Sequence, residues 1–197
     1  MQISLFQEPE IKQNSHINGL TYLPDFITKE EEGFLLGKID EQVWLYDLKR
    51  RVQHYGYKYD YKARFVSYDQ KIGEIPDWIE KYCRRLQQKG LFKKEPEQVI
   101  INEYQAGQGI SPHIDCVPCF GETIASLSLG SQCVMEFSKD GNKQDLLLEP
   151  CSLLVMKDEA RYEWQHSIPA RKSDKINGIA IPRARRVSMT FRNMILK

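Results

Sequence analysis

The spacing of hydrophobic residues divides the chain into a helical N-terminal part and a longer part made of short strands. Thr28-Lys29-Glu30-Glu31 has the Ser/Thr-x-x-Glu form of a capping box and predicts a helix that runs to about Ile39. A second helix is predicted to begin near Pro76, because apolar side chains recur at helical spacing as far as Leu86 and Gly90 follows as a stop signal.

From residue 99 onward the period changes, and short apolar or alternating runs stand between Gly, Pro, Asn and Asp residues. These runs predict strands at 98–104, 123–129, 132–138, 145–149, 152–156, 162–167 and 186–193. Asp140-Gly141-Asn142 predicts a hairpin turn between two of them. Many short strands of this kind favour a sandwich or jelly roll, so the expected fold class is mainly β with N-terminal helices.

Composition and charge add only broad limits. A chain of 197 residues with 41% hydrophobic content can bury one sizeable core. The 28 basic and 27 acidic residues leave a net charge of +1, so any nucleic-acid surface has to be a local patch. We find no apolar run that approaches the roughly 18 residues of a membrane span and no secretion signal, and we expect a soluble, cytoplasmic monomer without membrane contact.

The five cysteines are expected to be reduced thiols, because their number is odd and the chain carries no secretion signal. Cys116-Val117-Pro118-Cys119 has the Cys-x-x-Cys spacing of redox pairs and of half zinc sites. Pro118 and the following Phe120 and Gly121 predict a loop rather than a helix start, and a second cysteine pair is missing from the sequence. We therefore expect no function of its own for this motif.

Two histidines and one aspartate form the most informative polar set. His113 and Asp115 stand two apart, so both side chains point to one side if this stretch is an extended strand. His166 follows Asp115 by 51 residues (166 − 115), and the fold has to return the chain to the same place. Two imidazoles and one carboxylate on one face of an iron leave positions open, as in non-haem Fe(II) oxygenases. We predict that these three residues bind Fe(II) and are catalytic; ordinary hydrogen-bonded histidines are the alternative.

Two arginines near the C-terminus point to an acidic co-substrate. The segment 186–192 combines β-branched and aromatic residues, and its alternation puts Arg186 and Arg192 on one strand face. Six steps of roughly 3.3 Å separate them by about 20 Å, a gap that two long side chains leaning inward can close around a short dianion. A guanidinium grips a carboxylate bidentately. A solvated basic edge strand is the alternative.

These motifs, in this order, resemble the active site of the AlkB family of Fe(II)/2-oxoglutarate dioxygenases. Asn102-Glu103-Tyr104 resembles that family's Asn-x-Tyr. The resemblance implies that Asn102, Tyr104, Arg186 and Arg192 bind 2-oxoglutarate, that O₂ is the second co-substrate, and that the fold is a double-stranded β-helix, a cupin-like jelly roll. It also implies one domain over 1–197, with helical support in 1–95, a nucleotide-recognition lid at about 44–64 and a catalytic core in 96–197.

The similarity covers roughly residues 20 to 197 and is strongest to the oxygenase domain of the eukaryotic AlkB homologue that hydroxylates a modified wobble uridine in tRNA. Similar segments lie at 50–52, 54–57, 107–110, 126–131, 152–156 and 161–162. We expect neither the RNA-recognition domain nor the methyltransferase domain of that protein here. Val117 stands two places after Asp115, where AlkB repair enzymes have an acidic residue that meets the target base, which argues against adenine repair.

The segment 44–64 is the predicted substrate region. It contains six basic residues against two acidic ones, interleaved with aromatic residues, and unpaired bases and their phosphates bind to such surfaces. Tyr55, Tyr57, Tyr59 and Tyr61 alternate, which predicts four rings on one strand face. Rings that face the core are the alternative, and for Arg161 the alternative is a structural salt bridge. The predicted substrate-binding residues are Arg51, Tyr55, Tyr57, Tyr59 and Arg161, and Arg183 and Arg185 are further candidates for phosphate contacts.

The function predicted from these features is an AlkB-like dioxygenase that demethylates or hydroxylates nucleobases, in alkylation repair of DNA or RNA or in tRNA modification. Two alternatives stay open. One is a 2-oxoglutarate-dependent protein hydroxylase or demethylase of the same fold, in which 44–64 is expected to face the core. The other is a non-catalytic nucleic-acid-binding module.

Overall fold

The computed structural model describes residues 16–46, 48–59 and 67–196, and these ranges are mainly β. The helices are α1 (Lys29–Asp40), α2 (Asp77–Gln88) and α3 (Asp158–Tyr162), with a 3₁₀ turn at Tyr68–Gln70. The strands are β1 (Leu20–Leu23), β2 (Val52–Tyr55), β3 (Gln98–Tyr104), β4 (Ile110–His113), β5 (Phe120–Gly130), β6 (Cys133–Lys139), β7 (Asn142–Leu148), β8 (Leu153–Met156), β9 (Gln165–Ile168), β10 (Ser173–Ile176), β11 (Ile179–Pro182) and β12 (Arg186–Met194).

The two predicted helices are confirmed, together with the local signals that predicted them. The Thr28 hydroxyl accepts a hydrogen bond from the Glu31 backbone N–H at 3.2 Å, and the Glu31 carboxylate accepts one from the Thr28 N–H at 3.1 Å. This is the reciprocal capping box at the start of α1. Pro76 caps α2, and Gly90 follows its end with a φ of 69° that glycine adopts without strain.

The larger sheet is antiparallel and has the strand order β1-β8-β5-β12-β3-β2. Side chains on successive positions of a strand face opposite sides, and here both sides are buried. In β12, Val187, Met189 and Phe191 pack with α1 and α2 in one hydrophobic cluster. Arg186 and Arg192 lie on the other face of the sheet, where both line a cavity. The alternation predicted for this strand is therefore present, and it is a central strand, with β3 and β5 as neighbours.

The smaller sheet has the order β4-β9-β6-β7 and covers the second face of the larger one. A second cluster fills the space between the sheets, with Tyr104 and Ile124 from the larger sheet and Met135 and Phe137 from the smaller. Two antiparallel sheets that pack face to face in this way form a jelly roll, so the predicted fold class is confirmed. Asp140 and Gly141 make the predicted hairpin turn between β6 and β7.

Several elements differ from the sequence predictions. The predicted strand 162–167 is wrong at its start, because α3 extends to Tyr162 and β9 begins at Gln165. Packing of Ala160 into the cluster between the sheets stabilises α3, and this tertiary contact outweighs the strand preference of the residues that follow. The hairpin of β10 and β11 was not predicted, since its Ser-Asp-Lys-Ile sequence has no clear period. The proposed division of the chain at residue 95 stays a prediction, although β1 and β2 both join the larger sheet.

Among the described helices, none is both long and apolar enough to cross a membrane.

Candidate active site

A cavity of about 540 Å³ opens between the two sheets, and its walls bring together residues that are far apart in the sequence. His113 ends β4 and His166 lies in β9, directly opposite it in the antiparallel register. The two imidazole centroids are 4.3 Å apart. The pairing of these strands is thus what returns His166 to His113. Asp115 completes the group from the loop that follows β4.

The geometry of this group suits a metal ion. One donor atom from each of His113, Asp115 and His166 lies within 4.8 Å of the others. The His113 Nδ1 lies 2.8 Å from the Ser111 carbonyl oxygen, which can only accept, so Nδ1 carries the proton and Nε2 is left to coordinate. Neutral imidazole and carboxylate are the donors that Fe(II) accepts in open three-residue sites.

The expectation that His113 and Asp115 share one strand face is wrong. β4 ends at His113, and Asp115 belongs to the following loop. The Asp115 carboxylate is instead held by Arg192, whose Nε and Nη2 donate to it at 3.3–3.4 Å. Arg192 thereby fixes the third donor, and its guanidinium also lies 4.7 Å from the centroid of the Phe120 ring.

The surroundings keep these donors in the protonation states that a metal requires. Burial by itself would raise the pKa of Asp115, but the Arg192 guanidinium is the largest opposing influence, and the net result is a pKa of about 2. Burial, together with the neighbouring His113, lowers the pKa of His166 to about 4. Near neutral pH the carboxylate is therefore ionised and the His166 imidazole is neutral, and neither has to lose a proton before it binds a cation.

Arg186 lies on the same face of β12, six residues before Arg192, and is 3% exposed. Its Nη2 donates to the Ser128 hydroxyl at 3.0 Å, whereas Nε and Nη1 are buried without a partner among the described residues. A buried guanidinium with unused donors is costly, and a carboxylate is the group that matches its planar fork. Asn102 and Tyr104 line the cavity beside it, and the Tyr104 ring centroid is 5.5 Å from the guanidinium carbon. The arrangement at Arg186 fits one carboxylate of the dianion that the sequence predicts. The contact of Arg192 with that dianion stays a prediction, since its guanidinium binds Asp115 here.

Arg50 is a cavity residue that the sequence analysis did not select. Its Nε donates to the Asn102 side-chain oxygen at 2.9 Å, and its guanidinium carbon lies 5.6 Å from the Tyr104 ring centroid. Arg51, which was selected, instead binds Glu103 through two hydrogen bonds of 2.9 and 2.7 Å and covers the Trp44 ring. The alternation of β3 could have indicated which arginine faces the cavity. Asn102 and Glu103 point to opposite sides of the strand, and each binds one of the two arginines.

The four tyrosines predicted on one face are separated by the chain. β2 ends at Tyr55, and Gly56 turns the backbone with a φ of 76°. Tyr55 packs edge-on against Trp78, and burial raises its pKa to about 12. Tyr57 packs against the cluster between the sheets, and Tyr59 lines the cavity with its ring 5.2 Å from Phe120. Tyr61 lies outside the described residues.

The remaining substrate candidates are engaged elsewhere. Arg161 is buried and donates to backbone carbonyls of the loop after β4. Arg183 is paired with Asp174, and Arg185 with Asp40 and Glu103, so their guanidinium groups are not directed at the cavity. The expectation of five reduced thiols is wrong for one pair, because Cys116 and Cys119 form a disulfide in a tight turn, with Cα atoms 5.3 Å apart.

Comparisons with known proteins agree with this fold. The model of the 2OG-Fe(II) oxygenase superfamily matches residues 19–192. Uncharacterized protein L905 of Acanthamoeba polyphaga mimivirus is 40% identical over 193 residues, which cover 94% of this chain and 90% of that protein. The Xenopus tropicalis protein named tRNA (carboxymethyluridine(34)-5-O)-methyltransferase alkbh8 is 41% identical over 164 residues, 80% of this chain but 26% of its own length.

A solved structure described as OsALKBH1 superimposes with a TM-score of 0.66 at 17% identity, over 89% of this chain and 96% of that one, which is a likeness in fold. The family model spans most of the chain, and the histidine, aspartate and arginine residues meet in one cavity of a jelly roll. This chain therefore belongs to the 2OG-Fe(II) oxygenase superfamily and is an AlkB-like dioxygenase, with Fe(II), 2-oxoglutarate and O₂ as cofactor and co-substrates.

Proposed function

We propose that the chain hydroxylates or demethylates a nucleobase in nucleic acid, with a modified base of tRNA as the favoured substrate. In this proposal His113, Asp115 and His166 hold the iron, and Arg186, whose Nε and Nη1 have no partner among the described residues, binds the far carboxylate of 2-oxoglutarate. When bound, the iron and 2-oxoglutarate supply the oxidation of a substrate C–H bond, with succinate and CO₂ as the other products.

The protein's own residues prepare the site before any substrate arrives. Arg192 forms an ion pair with the Asp115 carboxylate and orients it, so this metal ligand stays ionised and is fixed in place. Asn102, held by Arg50, and Tyr104 define the wall against which 2-oxoglutarate lies. Apolar residues of the cluster between the sheets also line the cavity, and such a lining lowers the local dielectric constant and strengthens these electrostatic contacts.

The choice of a nucleobase is supported by the outer part of the cavity. Lys49, Arg50 and Tyr59 line the same cavity, which therefore offers both positive charge and an aromatic ring, the two features that single-stranded or flipped-out bases require. The Xenopus relative carries a tRNA uridine in its name, which favours tRNA among nucleic acids. Val117 is 45% exposed and offers no carboxylate to the substrate, so a contact of the adenine-repair kind is missing at this position.

The single observation that carries the proposal is the pair of unused donors on Arg186, buried in the same cavity as the three-residue metal group. A non-catalytic binding module has no use for either feature. Mass spectrometry after incubation with Fe(II), 2-oxoglutarate and either tRNA or oligonucleotides that contain 1-methyladenine or 3-methylcytosine tests the substrate. We expect a gain of one oxygen on tRNA. Loss of a methyl group from the oligonucleotides would mean repair instead.

A protein substrate is the outcome if neither nucleic acid changes while 2-oxoglutarate is still consumed in the presence of a peptide library. The orientation of segment 44–64 was expected to distinguish a protein hydroxylase from a nucleic-acid enzyme, but its described residues face both ways. Tyr55 and Arg51 face protein groups, as the protein hydroxylase requires, whereas Tyr59 faces the cavity, as the nucleic-acid enzyme requires. The mass measurement on tRNA therefore decides between them.

A further inference from the structure

Arg161 is one of the most deeply buried charged side chains that the structure describes, at 2% exposure. It lies in α3, and its guanidinium donates to four backbone carbonyl oxygens. Nη1 donates to Asp115 at 2.9 Å, Nε to Gly121 at 3.2 Å, and Nη2 to Cys116 at 3.3 Å and Phe120 at 3.2 Å. All four acceptors lie in the loop 115–121, whose last two residues already belong to β5.

Between Ile114 and Cys119 this loop leaves the regular hydrogen bonding of the sheets, and apart from the Cys116–Cys119 disulfide it depends on contacts with other parts of the chain. Residues 114–116 belong to no strand, and the loop's own backbone bonds are those of one turn, from the N–H groups of Cys119 and Phe120 to the Cys116 carbonyl. Its first residue, Asp115, supplies the carboxylate of the metal group. The Arg161 fork thus fixes the main chain of the residue whose side chain has to be placed most accurately.

Arg161 also precedes His166 by five residues, and the short helix leads directly into β9. One side chain therefore links the segment that carries His166 to the loop that carries Asp115. The donors of Arg161 are directed at main-chain oxygens and its side chain does not line the cavity, so direct contact with the substrate is not its role. Lysine could not replace it fully, since an ammonium has three donors and lacks the planar fork.

We propose that Arg161 is a positioning residue for the metal centre, which sets the distance between Asp115 and His166 through the backbone of the loop 115–121. The proposal rests on the proposed iron site. It predicts that loss of Arg161 lowers metal affinity directly, before any substrate is bound. Partners that orient metal ligands typically change affinity by about 10–100-fold when they are removed.

The test is a calorimetric titration of the full chain with Mn(II), which requires no turnover. We expect R161M to bind Mn(II) about 10–100-fold more weakly than wild type, and R161K to lie between the two. R183M is the matched control, because Arg183 is also a buried, multiply bonded arginine, paired with Asp174 outside the metal group. R183M is expected to lose stability but to keep the Mn(II) affinity within about twofold, well below the change expected for a metal-orienting partner.

Wild-type Mn(II) affinity in folded R161M would overturn the proposal. Should R161M not fold, R161K decides alone, since an unchanged affinity in that variant is equally contradictory. A role in substrate binding would instead raise the KM for the nucleic acid and leave the Mn(II) titration unchanged. Failure of the iron site itself is separate, because wild type and H166A would then bind Mn(II) equally weakly.

Discussion

Replacement of Arg186 by methionine should raise the free energy of unfolding of the protein alone and weaken the binding of 2-oxoglutarate. The buried guanidinium destabilises the protein on its own, whereas it binds the co-substrate when that is present. Methionine keeps most of the apolar stem and removes the guanidinium. Without 2-oxoglutarate, two buried donor nitrogens of Arg186 have no partner in the part of the chain that the structure describes, and each costs about 1–3 kcal/mol. The lost bond to Ser128 was worth about 1 kcal/mol. R186M should therefore be more stable than wild type, by about 1–5 kcal/mol.

With 2-oxoglutarate the stability advantage of R186M is expected to shrink or reverse, because only wild type gains the full binding free energy of the co-substrate. A ligand at 100 times its Kd stabilises wild type by about 2.7 kcal/mol. Loss of a buried charged partner costs about 3–5 kcal/mol, which weakens binding by roughly 10² to 10³-fold or more, so the same concentration leaves R186M almost unaffected. Urea unfolding in Mn(II), with and without 2-oxoglutarate, measures both free energies. The reasoning fails if R186M is the less stable protein without co-substrate and still gains the full stabilisation when it is added.

R183M serves as the control for R186M as well. All the side-chain partners of Arg183 are protein groups, the Asp174 carboxylate and the Pro169 carbonyl. Its removal leaves the buried Asp174 carboxylate with Arg171 as its one remaining cation among the described residues, which costs about 3–5 kcal/mol if the site does not relax. The loss should be equal with and without 2-oxoglutarate.

Three further outcomes are expected. G109A should weaken Mn(II) binding, because a Cβ there collides with the Ile168 carbonyl oxygen and displaces β4 from β9. G33A is the control, since a Cβ at that position meets nothing within 4 Å. It should leave the Mn(II) affinity unchanged and add about 0.5–1 kcal/mol of stability. Burial would raise the pKa of Glu103, but hydrogen bonds from Arg51, Gln105 and Arg185 lower it below the ordinary 4.5. The ionised carboxylate therefore stabilises the fold above pH 4.5, and this stabilisation is lost on acidification. The difference in unfolding free energy between wild type and E103Q should shrink below pH 4.5, and a difference that stays constant would disprove this. R50M should raise the Kd for 2-oxoglutarate less than R186M does, because Arg50 is only half-buried; an equal loss would mean that Arg50 binds the carboxylate directly.

The sequence predicted most reliably those features whose causes are local. The capping box at Thr28 involves residues three apart, and the alternation in β12 reflects two buried faces that each demand one kind of side chain. The bounds of β3 were predicted to the residue, because an apolar run precedes Asn102 and a turn follows Tyr104. The metal group followed from residue chemistry, since few sites use two histidines and an aspartate in this order.

Features that depend on distant contacts could not be read from the chain. Asp115 is placed by Arg192 and by the Arg161 fork rather than by a strand, and neither contact leaves a periodic signal. The alternating tyrosines after Tyr55 satisfy a strand pattern, yet Gly56 and the packing of Trp78 separate the rings. Charge alone could not separate Arg50 from Arg51, because the choice depends on the face to which each neighbour in β3 points.

The most direct test of the central claim is succinate formation by the purified chain with Fe(II), 2-oxoglutarate and O₂, compared with the variants H113A, D115A and H166A. We expect wild type to form succinate, tRNA to accelerate it, and each variant to lose it while unfolding at a similar temperature. Succinate formation at the wild-type rate in any of the three variants would show that His113, Asp115 and His166 do not hold the catalytic iron.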